Sequence, residues 1–146
     1  MQQSKEKTAF ALLKDYLASV NAGNPEVAAS FFAENGKIEA PYFASLGLPT
    51  TTDGQVAIEA AISGLLQKTP SFHFTNVKLI LETPTEVVAE CESEAVLANG
   101  ETYKQLYINH IIAENGKIVC HREFLDTLAF AKAFFPNAKV ALKVNE

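Results

Sequence analysis

The sequence contains no tryptophan, one methionine and two cysteines among its 146 residues, and it has no long apolar run. A membrane-spanning helix needs about 20 consecutive apolar residues, so we expect no membrane partner. The 12 lysines and arginines are scattered and are outnumbered by 17 acidic residues, which argues against a nucleic-acid partner. The first ten residues, MQQSKEKTAF, lack the apolar core of a signal peptide, and we therefore expect a soluble, cytoplasmic protein.

Motifs for common cofactors are absent as well. The sequence has no glycine-rich phosphate loop and no dinucleotide-binding fingerprint. A three-histidine metal site is not expected, because His110 and His121 are predicted on opposite faces of a sheet and His73 on another strand. Cys91 and Cys120 are predicted on strands separated by a third strand, which is too far apart for a disulfide. We expect neither a metal nor an organic cofactor.

The periodicity of the apolar residues divides the chain into a helical half and a strand half. Helices are predicted over residues 5–22, from Pro25 to near Gly36, from a capping box at Thr52 and Gln55 to Pro70, and over residues 128–135. Strands are predicted over residues 37–43, 72–82, 86–98, 101–113 and 117–126. This order predicts a single α+β domain, residues 1–146, with helices packed on one face of an antiparallel sheet.

Two turns fix the predicted register of the last three strands. Asn99-Gly100 indicates a two-residue hairpin turn, and Gly116 indicates a turn with a glycine bulge. In this register one face is mostly apolar and collects Cys91, Ser93, Ala95, Leu97, Leu106, Ile108, His110, Ile112, Ile118, Cys120, Arg122 and Phe124. The other face is mixed and collects Glu90, Glu92, Glu94, Gln105, Tyr107, Asn109, Ile111, Val119, His121, Glu123 and Leu125.

The alternation alone leaves two interpretations of these faces. In the first, the apolar face packs in the core and the mixed face is exposed to solvent. In the second, the mixed face lines a polar pocket and the apolar face packs against a second subunit. A long apolar sheet face exposed to water would promote aggregation, so either the helices or a second subunit must cover it.

Two segments of the strand half resemble a known family. Residues 103–126, YKQLYINHIIAENGKIVCHREFLD, resemble the end of the phenazine-biosynthesis A/B proteins, and residues 74–95 resemble their middle segment. The order of elements is similar to that of SnoaL-like polyketide cyclases, ketosteroid isomerases and nuclear transport factor 2. The resemblance implies a cone-shaped α+β barrel, NTF2-like or cystatin-like, in which the mixed face lines a ligand cavity and the convex face forms a homodimer.

The same resemblance implies which residues act in the cavity. Glu123 falls where the phenazine family has its catalytic acid, and Asn109 and Tyr16 fall where ketosteroid isomerases have the two donors of their oxyanion hole. We expect three further side chains to contact the substrate: His121, Tyr107 and Tyr42. The aspartate base of the ketosteroid isomerases is replaced by Ala40, so steroid isomerisation by the usual route is not expected.

The predicted chemistry centres on the Glu123 carboxyl. Burial raises the pKa of a carboxyl, and the nearby glutamates at positions 90, 92 and 94 are expected to raise it further. A carboxyl that titrates near neutrality suits general acid–base catalysis. Our first hypothesis is therefore an isomerase, dehydratase or cyclase that acts on a small hydrophobic or carbonyl-containing compound without a cofactor.

Two other functions fit the same residues. The chain could be a non-catalytic binding module for a hydrophobic small molecule, or a dimeric interaction domain with a vestigial pocket. Each candidate residue also has a purely structural interpretation. Glu123 could form an ion pair at a rim, the Tyr16 ring could pack in the core, and Asn109 and His121 could satisfy neighbouring polar groups.

Overall fold

The structure is a computed structural model that describes residues 6–137, so residue 5 of the predicted first helix lies outside it. Its elements are α1 (Ala9–Asn21), α2 (Pro25–Ser30), β1 (Phe32–Glu39), a 3₁₀ helix (Pro41–Leu46), β2 (Thr51–Asp53), α3 (Gln55–Lys68), β3 (His73–Thr83), β4 (Glu86–Val96), β5 (Thr102–Glu114), β6 (Lys117–Leu125) and α4 (Thr127–Phe134). Within this part of the chain, no helix is both long and apolar enough to cross a membrane.

The described strands form one curved, unclosed sheet in the order β2-β1-β6-β5-β4-β3. α1 and α3 pack on the face that we call the inner face, and the opposite face is the outer face. The α+β prediction with helices on one side of the sheet is confirmed. The sheet differs from the prediction in three respects. β1 and β6 run parallel while all other neighbours are antiparallel, β1 spans Phe32–Glu39 instead of residues 37–43, and β2 is an additional strand that was not predicted.

A side-chain cap defines the start of α1, and two hydrogen bonds near its end attach it to the sheet. The Thr8 side chain accepts a hydrogen bond from the Ala11 backbone N–H, which caps the helix as expected for threonine at this position. At the other end, the Asn21 side chain donates to the Phe74 carbonyl and accepts from the Phe74 N–H, at 2.9 and 2.7 Å. The helix is therefore fixed to β3, and its apolar side faces the core.

The second helix begins where the sequence predicts and ends earlier. Asn24 caps it and Pro25 is its first residue. It stops at Ser30 instead of continuing to Gly36, because the Gln55 side-chain amide donates to the carbonyls of Ala29 and Phe32, each at 3.1 Å. Gln55 thus stabilises the end of α2 from a distant part of the chain, and the predicted Thr52–Gln55 capping box does not form, since Gly54 is the cap residue of α3.

The turn between β4 and β5 is longer than predicted. The Leu97 N–H donates to the Glu101 carbonyl at 2.8 Å, so the turn consists of the three residues 98–100. Gly100 lies at φ +85°, a conformation that glycine adopts without strain. The prediction of a two-residue Asn99-Gly100 turn is therefore wrong by one residue.

This single residue reverses the faces of β4. Cys91 pairs with Tyr107 and Ser93 pairs with Gln105, so these side chains share the inner face. The glutamates at positions 90, 92 and 94 lie on the outer face, contrary to the prediction. A one-residue slip of register moves every side chain of a strand to the opposite face, which explains the complete exchange.

The turn between β5 and β6 is tighter than predicted, but the predicted faces of these strands are retained except at Ile118. Glu114 pairs with Lys117, and Asn115 and Gly116 form a two-residue turn with positive φ at both positions. The tighter turn pairs Ile118 with Ala113 and places it in the core instead of on the outer face, and a bulge directly after Ile118 shifts the register back. Beyond the bulge, Glu123 and Asn109 share the inner face, as predicted, and they pair with one another.

We expect Gly36→Ala to destabilise the fold, because a Cβ at this buried position of β1 would lie 2.7 Å from the Ile118 carbonyl oxygen. The Cβ is attached directly to the backbone of one strand and the oxygen belongs to the backbone of the other, so relief of the contact requires the parallel β1–β6 pair to move, at a cost on the order of 1–3 kcal/mol. The matched control is Gly64→Ala in α3, where no atom lies within 4 Å and the helix should gain about 0.5–1 kcal/mol. Urea unfolding should therefore give shifts of opposite sign. A midpoint for Gly36→Ala at or above that of the wild type would contradict the close β1–β6 approach.

Candidate functional site

A cavity of about 340 Å³ lies between the inner face of the sheet and the helices α1, α3 and α4. This volume is at the small end of the range for ligand pockets, roughly 300–1,000 Å³. Most of the wall is aromatic or aliphatic and consists of Val20, Ile38, Ala40, Phe43, Ala61, Ile62, Leu65, Phe72, Phe74, Leu125, Phe130 and Phe134. The polar side chains at the wall are Tyr16 from α1, Tyr103 and Tyr107 from β5, Glu123 from β6, and the threonines at positions 50 and 52.

The Glu123 carboxyl lies in the wall of this cavity, and 18% of its side chain is exposed. No hydrogen bond joins it to any residue of the described chain, and the His121 Nε2 atom is 3.8 Å away. Burial raises the pKa of Glu123 to about 7. The predicted direction of this pKa shift is confirmed, whereas the predicted contribution of the glutamates on β4 is wrong, because those side chains lie on the outer face.

Asn109 and His121 lie behind the cavity wall. Asn109 donates to the Ala89 carbonyl at 3.3 Å and to the Cys91 sulfur at 3.2 Å, so its side-chain oxygen is left to accept from His121 Nε2 at 2.8 Å. His121 is fully buried, and burial lowers its pKa to about 3, so the ring is neutral at physiological pH. Asn109 and His121 therefore form a hydrogen-bonded pair, and neither side chain reaches the cavity surface.

Tyr16 packs its ring in the core and also lines the cavity. Its ring packs edge-on against Phe32 and His121, with centroid distances of 5.2 and 5.5 Å. The residue also lines the cavity, and its hydroxyl has no hydrogen-bond partner among the described residues. Burial and the charge of Glu123 both raise the pKa of Tyr16, so the phenol keeps its proton.

Tyr42 lies on the outer face instead of in the cavity. Its side chain is 58% exposed and its ring contacts Phe124 at a centroid distance of 5.4 Å. The 3₁₀ helix directs consecutive residues to different sides, so the neighbouring Phe43 lines the cavity and contacts Phe130. The expectation that Tyr42 contacts the substrate is corrected accordingly.

The position that carries the base in ketosteroid isomerases is part of the wall. Ala40 lines the cavity, as its resemblance to that position implies. Glu39 points away from it and forms ion pairs with Lys37 and Arg122 at 2.9 and 2.8 Å. These two partners lower the pKa of Glu39, so this carboxyl stays ionised outside the cavity. Glu123 is therefore the carboxyl that the described chain contributes to the cavity wall.

The sequence analysis did not predict that Tyr103 lines the cavity, or that Gln105 and Ser93 bond to the hydroxyls of Tyr103 and Tyr107. Tyr103 continues the alternation of Gln105 and Tyr107 along the inner face of β5, and this pattern was sufficient to find it. Ser93 was assigned to the wrong face by the register error. No group of three or more His, Cys, Asp or Glu side chains within residues 6–137 is arranged to hold a metal ion.

The fold and the cavity define a protein that encloses a small-molecule pocket between a curved sheet and its helices. Residues 13–121 match the SnoaL-like domain, and the chain belongs to this family. The family resemblance predicted from the sequence is therefore confirmed.

Solved structures with the same fold come from several bacteria. A candidate isomerase from Bacillus subtilis is 26% identical, with 86% of this chain and 91% of that chain aligned at a TM-score of 0.76. A phenazine biosynthesis-related protein from Pseudomonas aeruginosa is 18% identical, with 94% and 90% aligned at 0.75. A candidate polyketide cyclase from Xanthomonas campestris pv. campestris is 16% identical, with 86% and 95% aligned at 0.74. No significantly similar sequence is found among curated proteins.

We expect Glu123→Gln to stabilise the protein at pH 8 and to have a much smaller effect at pH 4. The folded protein holds the Glu123 proton up to about pH 7, while the unfolded chain releases it near the ordinary value of 4.5. The folded state therefore binds more protons between these values, and wild-type stability falls as the pH rises through this window. The resulting penalty is on the order of 3 kcal/mol above pH 7, and glutamine does not incur it.

Urea unfolding of both proteins at pH 4, 6 and 8 measures this difference. Glu90→Gln is the matched control, because Glu90 is exposed on the outer face. A difference between wild type and Glu123→Gln that is the same at pH 4 and pH 8 would show that Glu123 is solvated.

Proposed function

We propose that the protein is a cofactor-independent isomerase, dehydratase or cyclase that uses Glu123 as a general acid–base on a small carbonyl compound. The observation that carries this proposal is the position of the Glu123 carboxyl, which lies in an aromatic cavity without a hydrogen-bond partner among the described residues. A structural carboxyl in such surroundings would be paired, because an unpaired buried charge is costly. A carboxyl that exchanges a proton with a ligand must instead remain free.

The proposed step is a proton transfer at carbon. The Glu123 carboxylate takes a proton from the carbon next to a carbonyl group, the electrons of that C–H bond form a C=C bond, and the carbonyl oxygen becomes an enolate. Return of the proton to another carbon gives an isomer. Loss of a β-hydroxyl group, which takes the proton from Glu123 and leaves as water, gives a dehydrated product. Attack of the enolate on a second carbonyl, whose oxygen takes that proton, gives a cyclised product. A carboxyl pKa of about 7 suits this role, since both protonation states are populated at neutral pH.

The wall of the cavity favours a planar, mainly apolar ligand. Phe43, Phe72, Phe74, Phe130 and Phe134 present aromatic surface to it. Apolar pockets with a few convergent polar groups are typical of small-molecule sites. The open volume of about 340 Å³ also favours a ligand-binding protein over an interaction domain with a filled pocket.

Exchange of hydrogen for deuterium in 2-tetralone tests the proton-transfer step directly. This small aromatic ketone carries acidic C–H bonds between its ring and its carbonyl group, and base catalysis in D₂O replaces them with deuterium. We expect the protein to accelerate this exchange and Glu123→Gln to reduce the acceleration by roughly 10²-fold or more. NMR of the ketone measures the rate.

Glu90→Gln serves as the control and should exchange the ketone at the wild-type rate, because Glu90 faces the outer side of the sheet. If 2-tetralone binds but Glu123→Gln exchanges it as fast as the wild type, Glu123 is not the base. If 2-tetralone binds without accelerated exchange in any variant, the protein is a binding module, which is the alternative function that the sequence left open.

We also propose that two copies of the chain associate through the outer face. Leu106 is 62% exposed there, and with Tyr42, Ile108 and Phe124 it forms an apolar surface beside a groove of about 720 Å³. An apolar surface of this kind is typical of a protein–protein contact. Cys120, which belongs to the predicted apolar face, does not contribute to this surface, because it is only 5% exposed.

Light scattering at micromolar concentration tests the dimer. We expect a mass of two chains for the wild type and of one chain for Phe124→Glu, since a charge in the centre of an apolar contact prevents its burial. Val56→Glu is the matched control at an exposed position of α3 and should remain dimeric. A monomeric wild type, or a dimeric Phe124→Glu with native circular dichroism, would exclude this contact.

A further inference from the structure

The hydroxyl of Tyr103 is held in one orientation by Gln105. The Gln105 side-chain oxygen accepts from the backbone N–H groups of Leu106 and Asp126, at 2.9 and 2.8 Å. These two donors fix the amide, so its nitrogen must donate, and it does so to the Asp126 carbonyl and to the Tyr103 hydroxyl oxygen, at 2.9 and 2.7 Å. The Tyr103 oxygen is thus an acceptor, and its own proton is left without a partner among the described residues.

Tyr107 is held in an equivalent way by Ser93. The two hydroxyl oxygens are 2.9 Å apart, and Ser93 is completely buried. If Tyr107 donated to Ser93, the serine proton would be buried without an acceptor among the described residues, which costs about 1–3 kcal/mol. The favoured arrangement is therefore that Ser93 donates to Tyr107, which leaves the proton of Tyr107 free at the cavity wall.

We infer that Tyr103 and Tyr107 are the donors that bind the carbonyl oxygen of the ligand, and that Gln105 and Ser93 are the positioning residues that direct their protons into the cavity. This inference rests on the proposed function and deepens it. The two tyrosines and Glu123 line one cavity, so a ligand can present its oxygen to a phenol while an adjacent C–H faces the carboxyl.

The electrostatics of the cavity agree with this division of roles. Burial raises the pKa of Tyr103 to about 12, and burial also raises the pKa of Tyr107 well above its usual value. The charge of Glu123 is a further cause in both cases, so the phenols lie within its field. Both phenols therefore remain donors throughout the pH range in which Glu123 changes its charge. Asn109 cannot fill this role, because its amide is already bonded to Ala89, Cys91 and His121.

The test compares the binding of 2-tetralone with that of tetralin, its hydrocarbon analogue without the oxygen. We expect Tyr103→Phe or Tyr107→Phe to weaken 2-tetralone binding by about 3- to 10-fold, as loss of one hydrogen bond predicts, and to leave tetralin binding unchanged. Ser93→Ala should weaken the ketone selectively by a smaller factor, because it keeps the Tyr107 donor and removes only its orientation. Tyr42→Phe, on the outer face, is the matched control and should change neither affinity.

The outcomes separate this inference from the proposed catalysis. Selective loss of the ketone supports the donor assignment, and it does so even if Glu123→Gln exchanges 2-tetralone at the wild-type rate, a result that would remove the proposed base alone. Equal weakening of both compounds, or no change for either, would overturn the donor assignment and leave the role of Glu123 intact. If the wild type binds neither 2-tetralone nor tetralin at millimolar concentration, both the donor assignment and the proposed catalysis are overturned.

Discussion

The pairing register of β4 with β5 determines the chemistry of the cavity, because it sets which side chains of β4 face the helices. In the observed register Cys91, Ser93 and Ala95 face inward and the glutamates of β4 face outward. A shift by one residue would place three further carboxyls on the face that contains Glu123, with β5 between them and β6, and their mutual repulsion and desolvation would oppose any closed apolar cavity. The three-residue turn before β5 therefore controls both the packing of the inner face and the isolation of Glu123.

The polar groups of the inner face are used in two different ways. Asn109 and His121 satisfy each other behind the wall, which stabilises the sheet and leaves only the His121 Nδ1 atom buried without a partner in the described chain. Gln105 and Ser93 instead donate to tyrosine hydroxyls and so leave a phenolic proton at the end of each chain of hydrogen bonds. The same sheet face thus contains both a structural network and a set of donors that have no acceptor among the described residues.

The sequence predicted most of the elements, because their apolar periods and caps are local signals. Asn24 and Pro25 predicted the start of α2 correctly. The end of α2 was not predictable from local signals, since it depends on Gln55, which lies more than 20 residues further along the chain. The two Asn-Gly turns have the same residue pair but different lengths, and only the pairing of their strands distinguishes them. Glu123 and Tyr107 still lie in the cavity as predicted, because the bulge in β6 offsets the misread length of the β5–β6 turn, and Tyr16 lies there as the family resemblance implies.

The parallel pair β1–β6 explains how a cavity with alanine at the position of the usual base can still contain a carboxyl. Glu39 pairs with Arg122, so the next residue of each strand, Ala40 and Glu123, are neighbours at the same level of the wall. A carboxyl at both positions would place two like charges side by side in an apolar site, and one of them would have to stay protonated. A small side chain at position 40 gives Glu123 space and removes this repulsion. The wall therefore keeps a carboxyl without one at position 40, and β6 is the strand that supplies it.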